Sequence, residues 1–237
     1  MATVEDFTKR CDDPAKLVTM VLVMVELAMA EIAAKKVKAD LFETYRSQER
    51  QNWIYCQGRT AEECIKAGIP AAFAKKYADP KAGENTWTLS SKHKTGKAVD
   101  IVPYINGKLT WSHTAKEQLA IVEVMERLGF ECGTNWTKNR DSCHYQVDGS
   151  FTTYFDAKHT TKYVTTAIQT QLNKWVKTGK LKLVGPYAAE VIEKGLKVDG
   201  DWGAKTTFVV NAFRQAMGYK TQKGQIGAIA YKALFSI

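Results

Sequence analysis

The apolar positions of this chain cluster unevenly. The longest run, residues 17–30, is interrupted only by Thr19 and Glu26. Its Ala, Leu, Met and Glu content predicts a helix over 13–36. Spanning a bilayer takes roughly 20 apolar residues, so this helix is expected inside a protein core. Ser47 reads as a helix N-cap with Glu49 in the first turn. The helix it opens carries Arg50, Gln51, Trp53, Ile54 and Tyr55 before Gly58. Short helices are expected over 62–67 and 70–77, and a loop over 79–85. Residues 98–103 (A-V-D-I-V-P) alternate like a strand. Residues 114–128 form an amphipathic helix ended by Gly129, and a closing strand follows over 143–147. Helices and short strands mix without regular alternation, which predicts an α+β fold.

The texture changes near residue 158. A helix is expected over 165–177, followed by a Gly- and Lys-rich stretch. A weak internal repeat then places Gly200-x-x-Gly203-Ala204 against Gly224-x-x-Gly227-Ala228. The glycines suit tight turns entering helices. Two domains are therefore expected, 1–158 and a small all-α domain over 159–237. Charge divides at the same place. Of the net +9, residues up to 158 carry 22 Lys and Arg against 21 Asp and Glu, a balance of +1; the remainder carries 12 against 4, a balance of +8. A near-neutral module joined to a basic one points to an anionic partner: nucleic acid, a membrane surface or bacterial envelope polymers.

Composition narrows the class. A hydrophobic share of 45% with 25% charged residues excludes disorder, a collagen-like fibre and a membrane bundle. The start, M-A-T-V-E-D-F-T-K-R, is mixed in charge and reads as lacking an export signal. Five cysteines form an odd set with no C-x-x-C pair, which fits free thiols in a reducing compartment better than a disulfide framework or a Cys metal site.

The candidate chemistry lies around two of the four histidines. One sits in Ser91-x-His93-x-x-Gly96-x-Ala98-x-Asp100, the other in Asp141-x-x-His144. A catalytic zinc takes three protein ligands and keeps an open position, and His93, Asp100 and His144 supply two imidazoles and a carboxylate. Gly96 lets a loop histidine and a strand carboxylate converge. Asp100 within A-V-D-I-V is costly to bury unless a cation balances it. Asp141, outside that set, stands where a general base could act on the attacking water. These spacings alone also fit ordinary surface or satisfied core residues.

The wider pattern resembles the zinc peptidases of the D-Ala-D-Ala peptidase group, and phage endolysins acting as L-alanyl-D-glutamate endopeptidases in particular. The likeness covers roughly residues 15–150. It includes Tyr45-Arg46-Ser47 with Gln51, Tyr55-x-Gln57-Gly58-Arg59-Thr60, and Gly133-Thr134-Asn135-Trp136, where Thr134 replaces the second glycine of a Gly-Gly-x-Trp segment. The resemblance implies one zinc per chain held by His93, Asp100 and His144, with Asp141 as base. It implies that Arg46 holds substrate or the oxyanion, against the alternative of a structural ion pair. Ser47, Gln51, Gln57 and Arg59 become candidate substrate-binding residues or braces of the pocket, and Trp136 a pocket wall or core residue. Cys143 is expected to point to the opposite face of its strand.

The segment V-D-G-D-W-G-x-x-T with Asn211-Ala212-Phe213-Arg214-Gln215 is similar to small helical peptidoglycan-binding domains. The expectation is an endolysin made in the host cytoplasm and released late through a separate membrane pore. A D,D-carboxypeptidase of the same fold is the second enzymatic reading. A non-catalytic protein binding wall or nucleic acid is the third. The basic tail shows no aromatic-plus-basic platform and no DNA-binding motif, so nucleic acid is not the expected partner.

Overall fold

The computed structural model describes residues 6–151, 153–220 and 223–237; the first five residues of the segment read for an export signal lie outside these. The apolar run forms helix α1 (Thr19–Ala34), which buries Met20, Val21, Val23, Met24, Val25, Ala28 and Ile32. It begins later than predicted because the Asp13 side chain caps a separate 3₁₀ turn, Pro14–Lys16. Such wide burial is what a helix apolar on most faces requires. Among the described residues no helix is long and apolar enough to cross a membrane.

Strand β1 (Ala39–Glu43) follows, an element the sequence pattern did not reveal. Helix α2 (Gln48–Cys56) starts at Ser47, whose hydroxyl accepts the Arg50 N–H at 3.1 Å. Helix α3 (Ala61–Lys66) opens with a reciprocal capping box between Thr60 and Glu63. With α4 (Ala71–Tyr77) these helices enclose a small core of Cys56, Cys64, Ile69 and Ala74.

The main sheet adds β2 (Ala98–Ile105), β3 (Lys108–Leu109), β4 (Glu131–Cys132) and β5 (His144–Gln146), with helix α5 (Lys116–Arg127) between β3 and β4. Its order is β1-β2-β5-β4, with β3 against β2, and every pairing is antiparallel. The register sets Glu43 opposite Asp100 and Asp100 opposite His144. Directly opposed residues share a face, so three polar side chains from distant parts of the chain stand in one row. Val99, Ile101 and Tyr145 alternate to the other face and join α1 and α5 in the core. Each fully buried side chain of this size contributes about 1.5–3 kcal/mol.

Strand β6 (Tyr154–Phe155) precedes helices α6 (Lys162–Lys177), α7 (Ala188–Lys194) and α8 (Ala204–Ala216), then strand β7 (Ile226–Gly227) and helix α9 (Ala228–Leu234). The two copies of the repeat share one backbone path. Gly200 and Gly224 have φ of +79° and +57°, and Gly203 and Gly227 are the N-caps of α8 and α9. This C-terminal segment, helical apart from β7, packs directly on the rest of the chain. Strand β7 pairs with β6, and α9 lies on α1. The buried Tyr231 hydroxyl donates to the Leu128 carbonyl at 2.6 Å. One hydrophobic cluster runs from Leu17 to Phe235 without a break between the two segments.

Candidate active site

His93 lies in a 3₁₀ turn, Lys92–Thr95, capped by Ser91, whose hydroxyl accepts the His93 N–H at 3.3 Å. Gly96 ends the turn at φ +64°, where a Cβ would come within 2.6 Å of the Lys16 carbonyl. Only glycine fits there without shifting backbone. The Gly96 carbonyl accepts the Val18 N–H, so the turn is fastened to the start of α1.

From this turn His93 Nε2 reaches Asp100 Oδ1 at 3.1 Å and His144 Nδ1 at 3.2 Å; His144 Nδ1 lies 3.2 Å from the same oxygen. Surrounding bonds fix where the ring protons sit. His93 Nδ1 is 3.1 Å from the Thr44 carbonyl, which can only accept, so Nδ1 carries a proton and, in the neutral ring, Nε2 is bare. Gln146 Nε2 donates to Glu131 Oε2 at 2.7 Å, which turns the amide oxygen toward His144 Nε2, 3.0 Å away. His144 Nε2 is therefore the protonated nitrogen, and Nδ1 is bare in the neutral ring.

Two nitrogen lone pairs and a carboxylate oxygen thus face one another, a set that repels itself unless a cation lies among them. Zinc–ligand bonds of about 2.0–2.1 Å in a tetrahedron set its ligands roughly 3.3 Å apart. The observed separations match that spacing, and the donor set suits a dication. Where no metal is bound a ring proton takes the cation's place: burial opposes ionisation of Asp100, yet the positive charge and N–H donors of protonated His93 and His144 outweigh it and hold the carboxyl well below the ordinary range. Burial likewise disfavours a charged His144, but its hydrogen bond to Asp100 and the Asp100 and Asp141 charges raise it overall.

Asp141 stands outside the ligand cluster, which comprises His93, Asp100 and His144. It lines the same cleft. Burial raises its carboxyl, and the charge of Asp100 adds to that rise. Its backbone is held by Gly133, whose carbonyl accepts the Asp141 N–H at 3.1 Å and where a Cβ would sit 2.5 Å from the Asp141 carbonyl. Thr134, in the place of a second glycine, donates its hydroxyl to the Ser142 carbonyl at 2.7 Å. Cys143 turns away to Gln118 on α5, as the strand alternation required.

Arg46 is largely committed to protein partners. Its Nε and Nη2 bind Glu43, Nη1 donates to Gln51 Oε1 at 3.0 Å, and Nη2 approaches Asp100 Oδ2 at 3.5 Å. Of its five N–H groups, one on Nη1 has no partner among the described residues. Arg46 is thus both a structural ion pair and a wall of the cleft. Gln51 sits behind the cleft, joining Arg46 to Thr86 and the Thr88 carbonyl. Ser47 faces a different groove, together with Tyr45 and Glu49. Gln57 is spent on the Trp53 and Tyr77 carbonyls, and Arg59 on the Tyr55 carbonyl and Glu84. Ser47, Gln51, Gln57 and Arg59 are therefore not among the residues that line the pocket, and of the four only Gln51 holds the Arg46 guanidinium. Trp136 does line it, its ring tilted against His144 at 5.4 Å and edge-on to the exposed Trp87 at 6.1 Å. The cleft encloses about 800 Å³.

Sequence reasoning missed Glu43, Gln146 and Glu131. Glu43 is buried between Arg46 and Arg50; the run Glu43-x-x-Arg46-x-x-x-Arg50 carried that signal. Gln146 follows His144 by two positions in a strand, the spacing of one face.

Residues 84–147 match a family model described as D-alanyl-D-alanine carboxypeptidase. That stretch contains His93, Asp100, Asp141 and His144. Among solved structures, the Serratia marcescens L-Ala D-Glu endopeptidase ChiX is similar at 23% identity over 62% of this chain and 94% of that one, with a TM-score of 0.38.

Proposed function

We propose that this chain is a zinc-dependent peptidoglycan peptidase, an endolysin hydrolysing the L-Ala–D-Glu bond of wall stem peptides to lyse its bacterial host. The observation that carries the reading is the convergence of three ligand atoms, from His93, Asp100 and His144, within 4.8 Å of one another, in a cleft also lined by a carboxylate that is not one of them. Those three residues would hold one zinc per chain. When bound, such an ion polarises a carbonyl and makes water a better nucleophile at neutral pH. Asp141 takes the proton from the attacking water and returns it to the leaving amine, a task suited by a carboxyl that burial raises above its ordinary range. The remaining Arg46 N–H donates to the developing oxyanion, with Glu43 and Gln51 fixing the guanidinium. Trp136 and Trp87 wall the cleft, whose volume lies in the usual ligand-site range of ~300–1,000 Å³.

Residues 159–237, with their balance of +8, hold the enzyme on anionic wall polymers rather than nucleic acid, after release through a membrane pore made by another protein. The test is lysis of a purified wall suspension with and without a chelator, followed by mass spectrometry of the products. A new D-Glu amino terminus, lost on chelation, supports the reading. Free D-Ala alone would establish the D,D-carboxypeptidase reading, which the description of the matching family favours. Absence of any peptide product overturns both.

A further inference from the structure

We propose that Glu131 and Gln146 are positioning residues that decide which ring nitrogen of His144 is available to a metal. This inference rests on the metal-site reading above. His144 and Gln146 lie two apart on β5 and share a face, and the register sets Glu131 of β4 directly opposite Gln146. The three side chains form one line of hydrogen bonds. Trp136 Nε1 donates to Glu131 Oε1 at 2.9 Å, Gln146 Nε2 donates to Glu131 Oε2 at 2.7 Å, and Gln146 Oε1 faces His144 Nε2 at 3.0 Å. Every donor in this line has one acceptor, and its direction starts at Glu131.

A carboxylate accepts and does not donate, so it forces the Gln146 NH₂ toward itself and the amide oxygen toward His144. If the amide turned over, its NH₂ would face Nε2. The imidazole proton would then move to Nδ1, pointing at Asp100 and His93, and the ligand would be lost. His93 needs no such device, because a backbone carbonyl, Thr44, fixes its tautomer. Outer partners of this kind typically change metal affinity by about 10–100-fold when removed.

The experiment measures zinc affinity of the full chain by chelator competition, alongside ¹⁵N shifts of His144 in metal-free protein at a pH where the ring is neutral. Glu131→Gln frees the amide to turn over, so affinity should fall about 10–100-fold, with His144 shifting toward the Nδ1–H form. Gln146→Glu with Glu131 retained still offers His144 Nε2 an acceptor, so the Nε2–H form should persist and affinity should stay within a few-fold of wild type. The double variant Glu131→Gln, Gln146→Glu reverses the line: residue 146 now accepts directly from His144 Nε2 and residue 131 donates to it, while still accepting from Trp136. Affinity and the Nε2–H signature should return to within a few-fold of wild type. Wild-type affinity with an unchanged His144 tautomer in Glu131→Gln overturns the inference alone, as does a double variant no better than Glu131→Gln. A wild-type protein that binds no zinc overturns it together with the metal-site reading.

Discussion

His93 Nε2 and His144 Nδ1 stand 3.2 Å apart, and in the neutral rings neither nitrogen carries a proton to join them. Their other nitrogens hold the ring protons against Thr44 and Gln146. With Asp100 Oδ1 beside both, the site attracts a positive charge, either a proton or a metal ion. Proton and metal therefore compete for one place, and several expectations follow from that competition and from the bonds around it.

Metal-free protein should depend on pH at both ends. Asp100 is held below its ordinary value of 3.8, so its contribution to stability is present above that pH and is lost as pH falls toward the folded-state value. His144 is held above its ordinary 6.5, so its contribution is full below that pH and is lost as pH rises through the raised value. Thermal melts should thus show metal-free protein losing stability on the alkaline side, with zinc-loaded protein much flatter there. A metal-free melting temperature that climbs steadily from pH 6 to pH 9 would contradict the assignment.

One zinc per chain is expected by elemental analysis, and chelation should abolish hydrolysis until zinc is restored. Binding should also release protons, seen by calorimetry in buffers of different ionisation heat. Full hydrolysis by rigorously metal-free protein would rule the site out.

The two cleft carboxylates should separate cleanly. Asp141→Asn keeps all three ligands, so zinc content should stay near wild type while the rate falls by ~10²–10⁴. Asp100→Asn replaces a charged ligand with a weak neutral one and should lose both metal and activity. If the metal contents came out reversed, the two residues would have to exchange roles.

Glu43 carries a structural load that its distance in sequence from the ligands conceals. Its carboxylate is 3% exposed and binds Arg46 and Arg50, both 11% exposed. Glu43→Gln leaves two cations poorly compensated, and denaturant melts should show a loss of about 3–5 kcal/mol. Lys232→Ala, which removes a half-exposed pair with Glu26, should cost no more than about 1 kcal/mol. Equal effects from the two variants would show that the buried triad has no special weight.

Deleting residues 159–237 would strip Tyr231 from Leu128 and open the shared core, so wall attachment is better tested by charge. Lys174, Lys177, Lys180 and Lys182 are exposed. Changing all four to Gln should weaken wall binding and flatten its salt dependence, since screening lengths shrink from ~10 Å at 0.1 M to ~3 Å at 1 M. Hydrolysis of small soluble muropeptides should be unchanged. Wall binding indistinguishable from wild type would remove these lysines from the account.

Much of this protein is legible along the chain because the forces involved are local. The apolar run that becomes α1, the Ser47 cap, the stop at Gly129 and the paired Gly-x-x-Gly helix entries each depend on residues within a turn or two of one another. The candidate ligands His93, Asp100 and His144 could also be named, through short motifs whose combination resembles a known peptidase group, although their spacings alone left ordinary roles open. Strand β1, the Glu43 bridge and the particular carbonyls and carboxylates that occupy Gln51, Gln57 and Arg59 could not. Nor could the line from Glu131 through Gln146 to His144. These depend on which residues of β1, β2, β4 and β5 stand opposite one another, a register set by packing the apolar face of the sheet on α1 and α5. Sequence alone determined which side chains could bind a cation. The tertiary register decided which nitrogen of each imidazole is bare to meet it, because a ring tautomer is set by a hydrogen-bond partner that the fold, not the local chain, brings into reach.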